Sequence, residues 1–119
     1  MAEFNGPPGI GGRTALITSG QSLSSAASTG RALFFGILMP AAWDAAAITM
    51  QGSVDGQTWG EIVLDTGVAL SWTVAASQIV LPSNPSQLMG LNWFKFRSGT
   101  SGAPVNQSAN RTITLLVTD

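Results

Sequence analysis

Histidine, cysteine and tyrosine are all absent from the chain. General acid–base chemistry would therefore have to rest on Glu3, Asp44, Asp55, Glu61, Asp65 or Asp119, or on Lys95. Glu3 sits in the opening segment and Asp119 is the last residue. Asp55-Gly56 and Asp65-Thr66-Gly67 are turn sequences, which accounts for two more carboxylates. Asp44 and Glu61 remain as a pair that a glycosidase-type mechanism would use, and nothing in their spacing marks them for it. Gly9-Ile10-Gly11-Gly12 precedes a strand pattern and lacks the lysine of a phosphate loop. The chain is thus expected not to be an enzyme and to carry no cofactor. Without histidine or cysteine, zinc and transition-metal sites are not expected. A calcium ion on Asp55, Asp65 and backbone carbonyls is the one conceivable metal; turn aspartates ordinarily bond their own backbone instead, so no metal is assigned.

Contact-forming residues are better represented. Of the four tryptophans, Trp72 lies in a strand pattern, Trp59 follows a turn, and Trp43 stands near Pro40 in a connection. Trp93 shares one face of a long strand with Lys95 and Arg97. Tryptophan and arginine are enriched where proteins meet, so Trp43, Trp93, Lys95 and Arg97 are the interface candidates. Stacking on a sugar is the other use of Trp93 with Lys95 and Arg97. A nucleic-acid platform would need a basic footprint, and five basic against six acidic residues give none.

The elements that would position these residues read as strands throughout. Residues 1–12, with Pro7-Pro8-Gly9 and Gly11-Gly12, form an extended arm in which Phe4, Pro7, Pro8 and Ile10 are the anchors for a neighbouring subunit. Residues 13–119 form the domain. In residues 13–18, Ala15 and Ile17 face opposite to Thr14, Leu16 and Thr18. Residues 19–30 are serine-rich and read as a loop or a short edge strand around Leu23. Residues 32–39 are apolar on both faces, so this strand should be central and covered on both sides, or covered by a partner. Pro40 ends it. Ile48 and Met50 point inward before Asp55-Gly56, which reads as a tight hairpin turn leading into Trp59, Ile62 and Leu64. Residues 68–74 and 78–81 are further strands, the latter stopped by Pro82. Residues 88–98 form a long strand with Phe94 and Phe96 in the core, and residues 111–118 place Ile113, Leu115 and Val117 inward. The sum is an all-β, two-sheet β-sandwich, jelly-roll-like, of about eight strands, with immunoglobulin-like sandwiches and up-and-down barrels as alternatives.

Composition fits one domain with a real core: 119 residues, 45% apolar. Charged residues are only 9% of the chain, against about 25% in an average soluble domain. A surface so poor in charge suits a protein packed against neighbours better than a free monomer. The absence of cysteine excludes disulfides. No secretory signal is expected at the N-terminus, and no apolar stretch is long enough to span a membrane; the sequons at Asn106 and Asn110 carry no weight without secretion.

Two resemblances follow from particular passages. Residues 48–59, Ile-Thr-Met-Gln-Gly-Ser-Val-Asp-Gly-Gln-Thr-Trp, look like a strand–turn–strand signature of discoidin-type carbohydrate-binding sandwiches, over about a tenth of the chain. More of the chain is similar to small virion proteins of tailed bacteriophages. The passages are 35–46 (Phe-Gly-Ile-Leu-Met-Pro-Ala-Ala-Trp-Asp-Ala-Ala), 53–56 (Ser-Val-Asp-Gly) and 96–107 (Phe-Arg-Ser-Gly-Thr-Ser-Gly-Ala-Pro-Val-Asn-Gln). That resemblance implies a head decoration (cement) protein, made in the host cytoplasm and carried on the capsid surface. Its partners would be the major capsid protein and further copies of itself, as dimer or trimer, with neither nucleic acid nor membrane involved. A carbohydrate-binding module on a virion and a neck or tail connector subunit are the alternatives.

Overall fold

The computed structural model describes residues 13–30 and 32–118, so the expected arm over residues 1–12 lies outside the described residues. Short alternating segments cut by glycine and proline can satisfy their backbone groups only by pairing side by side. Among the described residues this happens nine times, in β1 (Thr14–Ile17), β2 (Ala27–Ser28), β3 (Leu33–Leu38), β4 (Ile48–Ser53), β5 (Gly60–Glu61), β6 (Ser71–Trp72), β7 (Ile79–Val80), β8 (Trp93–Ser98) and β9 (Arg111–Thr118). One 3-10 turn, Pro85–Leu88, precedes β8, with proline in its first turn. No helix among the described residues is long and apolar enough to cross a membrane.

The strands form two antiparallel sheets. One has the order β1-β9-β3-β7, the other β2-β8-β4-β5, with β6 also pairing β4. Pairing is nested: β1 with β9, β2 with β8, β3 with β7, and β4 with β5 and β6. Two legs of one long hairpin are in effect rolled over into two layers. The inward residues of both layers meet as a β-sandwich core. Ala15, Ile17, Phe34, Ile37, Ile113, Leu115 and Val117 come from the four-stranded sheet, and Ile48, Met50, Trp72, Phe94 and Phe96 from the other. Phe34 sits at its centre, with ring centroids 4.7 Å from Phe94, 5.9 Å from Trp72 and 6.2 Å from Phe96.

The count is nine rather than eight because the strand beside β4 is interrupted. β5 pairs Gln51 and Gly52, β6 pairs Ile48 and Thr49, and a ribbon closed by a Val63–Ala69 bridge loops out between them. The long strand expected from Leu88 begins only at Trp93: Leu88 closes the 3-10 turn, and Gly90 at φ 95° breaks the extended run. The serine-rich stretch runs alongside β8, bridging at Leu23 and pairing as a strand at Ala27–Ser28. Asp55-Gly56 is not a two-residue turn. Only Gly56 has positive φ there, at 78°, and a loop over residues 54–59 joins β4 to β5. A tight type I′ turn would need positive φ at both positions.

Residues 32–39 make a central strand, as their apolar character implies, yet the described residues cover only one of its faces. Phe34 and Ile37 are buried while Leu33, Phe35 and Leu38 are exposed. A β-bulge sets both Phe35 and Gly36 opposite Leu116. It keeps Ile37 inward and Phe35 outward, which strict alternation would not allow.

Candidate functional site

Lys95 and Arg97 stand beside β4, registered against Gln51 and Thr49, and β5 brings Glu61 to the far side of Gln51. The Arg97 guanidinium donates from Nη1 to Glu61 Oε1 at 2.6 Å and from Nη2 to Oε2 at 2.7 Å. Its side chain is only 10% exposed, against 37% for Glu61. Gln51 Nε2 donates to the same carboxylate at 2.8 Å. Arg97 hydrogen bonding, aided by Gln51 and by the guanidinium charge, holds the Glu61 carboxyl below its usual range, and the same pairing raises Arg97. The serine-rich stretch covers the other flank of Arg97 through the Leu23 bridge. Arg97 is therefore a clamp tying β8 to the interrupted edge strand, not a protruding anchor.

Lys95 Nζ lies 4.4 Å from the centre of the Trp59 ring, a cation–π contact. Trp93 packs on Gly56, where an added Cβ would stand 2.8 Å from its Cε2. One face of that indole is thus already taken by the loop. Trp43 is half-buried against the core and donates from Nε1 to the Ala46 carbonyl at 3.0 Å. The structure brings Trp93 and Lys95 together with Trp59 on one face, places Trp43 elsewhere, and leaves Phe4, Pro7, Pro8 and Ile10 outside the described residues.

Asp44, Asp55 and Glu61 are spent on structure. Asp44 accepts from Arg111 Nη2 at 2.9 Å, Ser108 N at 2.7 Å and Ser108 Oγ at 3.1 Å. Hydrogen bonds from Ser108, then Arg111, lower its pKa. Beside it, fully buried Gln107 accepts from the Asp44 amide at 2.8 Å and donates to Ser98 Oγ at 2.7 Å and to the Asp44 carbonyl at 3.0 Å. This pins the connection after β3 to the loop before β9. Asp55 Oδ1 accepts from Gln57 N, Thr58 N and Ser53 Oγ at 2.8–2.9 Å, and those bonds lower its pKa from 3.8 to about 2. Asp44 and Glu61 each face their own arginine. Among the described residues no group of three or more acidic side chains gathers to hold a metal ion.

What remains open to contact is apolar. On the four-stranded sheet the outward residues include Leu16, Leu33, Phe35, Leu38 and Ile79, from 38% to 64% exposed. Thr14, Thr112 and Thr114 lie among them, and no outward position of these strands is charged. A second area, of mixed polar and apolar character, surrounds the ribbon between β5 and β6. Three hollows of about 290, 290 and 430 Å³ share Gln87 in their walls, with Ile62, Leu70 and Leu91 among the lining residues. Val63 and Met89 stand exposed at its rim. Sequence reading found the first surface only as a strand apolar on both sides, and it missed the second, because the ribbon and the 3-10 turn that shape it carry no alternating pattern. The chain matches no protein-family model, no curated protein and no solved structure.

Proposed function

We propose that this chain is a bacteriophage capsid decoration (cement) protein, which binds the outer head surface and strengthens contacts between capsomers of the major capsid protein. The observation that carries this reading is the uncharged sheet face with five large apolar side chains turned to solvent. Soluble monomers rarely leave a contiguous patch of this kind uncovered, and such patches mark interaction sites. The nested pairing supports a jelly roll, with β5 and β6 taken as one interrupted strand. That architecture recurs in viral shell proteins, and the likeness of residues 35–46 and 96–107 to virion proteins points the same way.

The mechanism would be mechanical. Each Å² of apolar surface buried across a capsomer boundary contributes about 25 cal/mol before the costs of association. A sandwich tied internally by the Glu61–Arg97 and Asp44–Arg111 pairs transmits load without rearrangement. The test is to mix the purified chain with heads lacking it and follow co-sedimentation, head heat resistance and electron cryomicroscopy. Expected are saturable binding, regularly placed density on the head and a higher temperature of head rupture. Density confined to the tail or neck would favour a connector subunit, and no binding at all would end the proposal. The carbohydrate alternative has less to work with, because one face of Trp93, its natural stacking platform, is already against Gly56.

A further inference from the structure

We infer that residues 1–12 fold back on their own chain and seat Phe4 in the hollow between β6 and the segment that follows β7. This concerns a different surface from the one assigned to the capsid and does not rest on that assignment.

The hollow lies where the strands leave the sandwich open. β7 ends the four-stranded sheet, and β5 and β6 lie beside β4 at the end of the other. Each of the three is two residues long. Around them Val63, Ile79, Leu81 and Met89 stand 54% to 64% exposed. Sheet edges of this kind are ordinarily paired or covered by another part of the chain. The hollow measures about 290 Å³, with Leu70, Trp72, Val80, Leu81 and Pro82 in its walls and the Gln87 amide for polar contact. A cavity of about 150 Å³ already takes a benzene ring, so a phenylalanine fits.

The position and length of the segment suit that occupant. Leu115 N donates to the Arg13 carbonyl at 2.8 Å, Leu115 is registered with Ile37, and Ile37 with Val80. Arg13 and Val80 therefore share a row across the sheet, three strand spacings or about 14 Å apart. β1 and β3 both run against β9, and β7 runs against β3. The chain traced back from Arg13 and the chain traced on from Val80 thus leave the sheet at the same end. Phe4 stands nine residues before Arg13. At about 3.1 Å per residue in the polyproline form, that stretch reaches about 28 Å. Gly9, Gly11 and Gly12 permit the bend at the β1 edge, and Pro7-Pro8 is stiff, so little freedom is lost on docking. Phe4 is the largest apolar side chain of the segment, and a buried phenylalanine hides about 150–250 Å². A short tether also holds Phe4 near its own hollow at a millimolar effective concentration, well above that of other copies in dilute solution.

The chain has no cysteine, so Ala2→Cys gives the full chain a single nitroxide label, read by NMR. Expected is the strongest loss of amide signal at Leu70, Thr73, Leu81 and Gln87, with the signals returning once the label is reduced. Adding Phe4→Ser should abolish that pattern. The substitution alters no residue of either sheet, so unchanged signals elsewhere separate lost docking from lost folding. A labelled chain mixed with unlabelled, isotope-enriched chain should cause no loss in the latter. Loss centred on Leu33 and Phe35 would put the segment on the outward face and overturn the inference. Loss in the mixed sample would put it in a neighbour's hollow and overturn it equally. So would an even or absent loss, or a pattern indifferent to Phe4→Ser. Head binding enters none of these readings, so the decoration role stands or falls separately.

Discussion

The Glu61–Arg97 pair is asymmetric, and the asymmetry predicts which partner matters more. Arg97 is mostly buried while Glu61 is more than a third exposed. Glu61→Gln leaves a buried guanidinium facing a neutral amide and should cost about 1–2 kcal/mol in urea unfolding, the figure being reduced for the solvent on the Glu61 side. Arg97→Met leaves a carboxylate that water can reach and should cost less; the reverse order would show that the clamp does not work as described. Asp55 makes a separate prediction with pH. Its pKa is lowered from 3.8 to about 2 by hydrogen bonds from Thr58, Gln57 and Ser53. A depressed carboxylate contributes stability that is fully present above its unfolded value and is lost as pH falls through the folded one. The loop over residues 54–59 should therefore hold above pH 4 and loosen toward pH 2. Carboxyl-carbon NMR should give Asp55 a midpoint near 2, and a midpoint near 4 would mean the turn bonds are not formed in solution. Sequence alone marked Asp55 as a turn residue, because aspartate before glycine announces a turn. It could not reveal Gln107 or the arginine clamps, whose partners lie tens of residues away and depend on the sheet register.

At the level of elements, the bulge in β3 decides what the outer face presents. Reading 32–39 by strict alternation puts Phe34, Gly36 and Leu38 on one side, while the extra residue in the ladder sets Ile37 inward and Leu38 outward. Gly36 is where β3 approaches β7: a Cβ there would meet the Val80 carbonyl oxygen at 2.7 Å and Leu81 Cδ2 at 2.8 Å. Leu81 could shift, but the carbonyl belongs to a hydrogen-bonded ladder. Gly36→Ala should thus cost about 1–3 kcal/mol. Gly60→Ala, with nothing within 4 Å of the added carbon, should stay within about 0.5 kcal/mol. Equal effects in chemical denaturation would remove the close-approach argument. The same contrast explains which elements were legible. β1 and β9 were read correctly because one alternating face is buried and the other is not; β4, buried on both faces, was legible because apolar Ile48 and Met50 alternate with polar Thr49 and Gln51. β5 and β6 were not, because two-residue strands carry no period and are placed by their pairing with β4.

For the whole molecule, the governing quantities are a net charge of −1 and a surface on which apolar side chains outnumber charged ones at the contact face. Association through such a face should depend on salt in a way opposite to charge-driven binding. Ion pairs exposed to solvent weaken as the screening length falls from about 10 Å at 0.1 M to about 3 Å at 1 M. Burial of leucine, isoleucine and phenylalanine does not, and sulfate strengthens it. The constant for binding to heads should then change by less than about threefold between low and high sodium chloride, tighten in ammonium sulfate, and give a negative heat-capacity change on association. Calorimetric titration of heads with the chain across those salts reads all three. A constant that falls steeply with sodium chloride would mean that charged groups carry the contact. Since the outward positions of the four-stranded sheet hold none, the interface would then have to lie on the five-stranded side, around Lys95 and Asp65, and the assignment of faces would reverse.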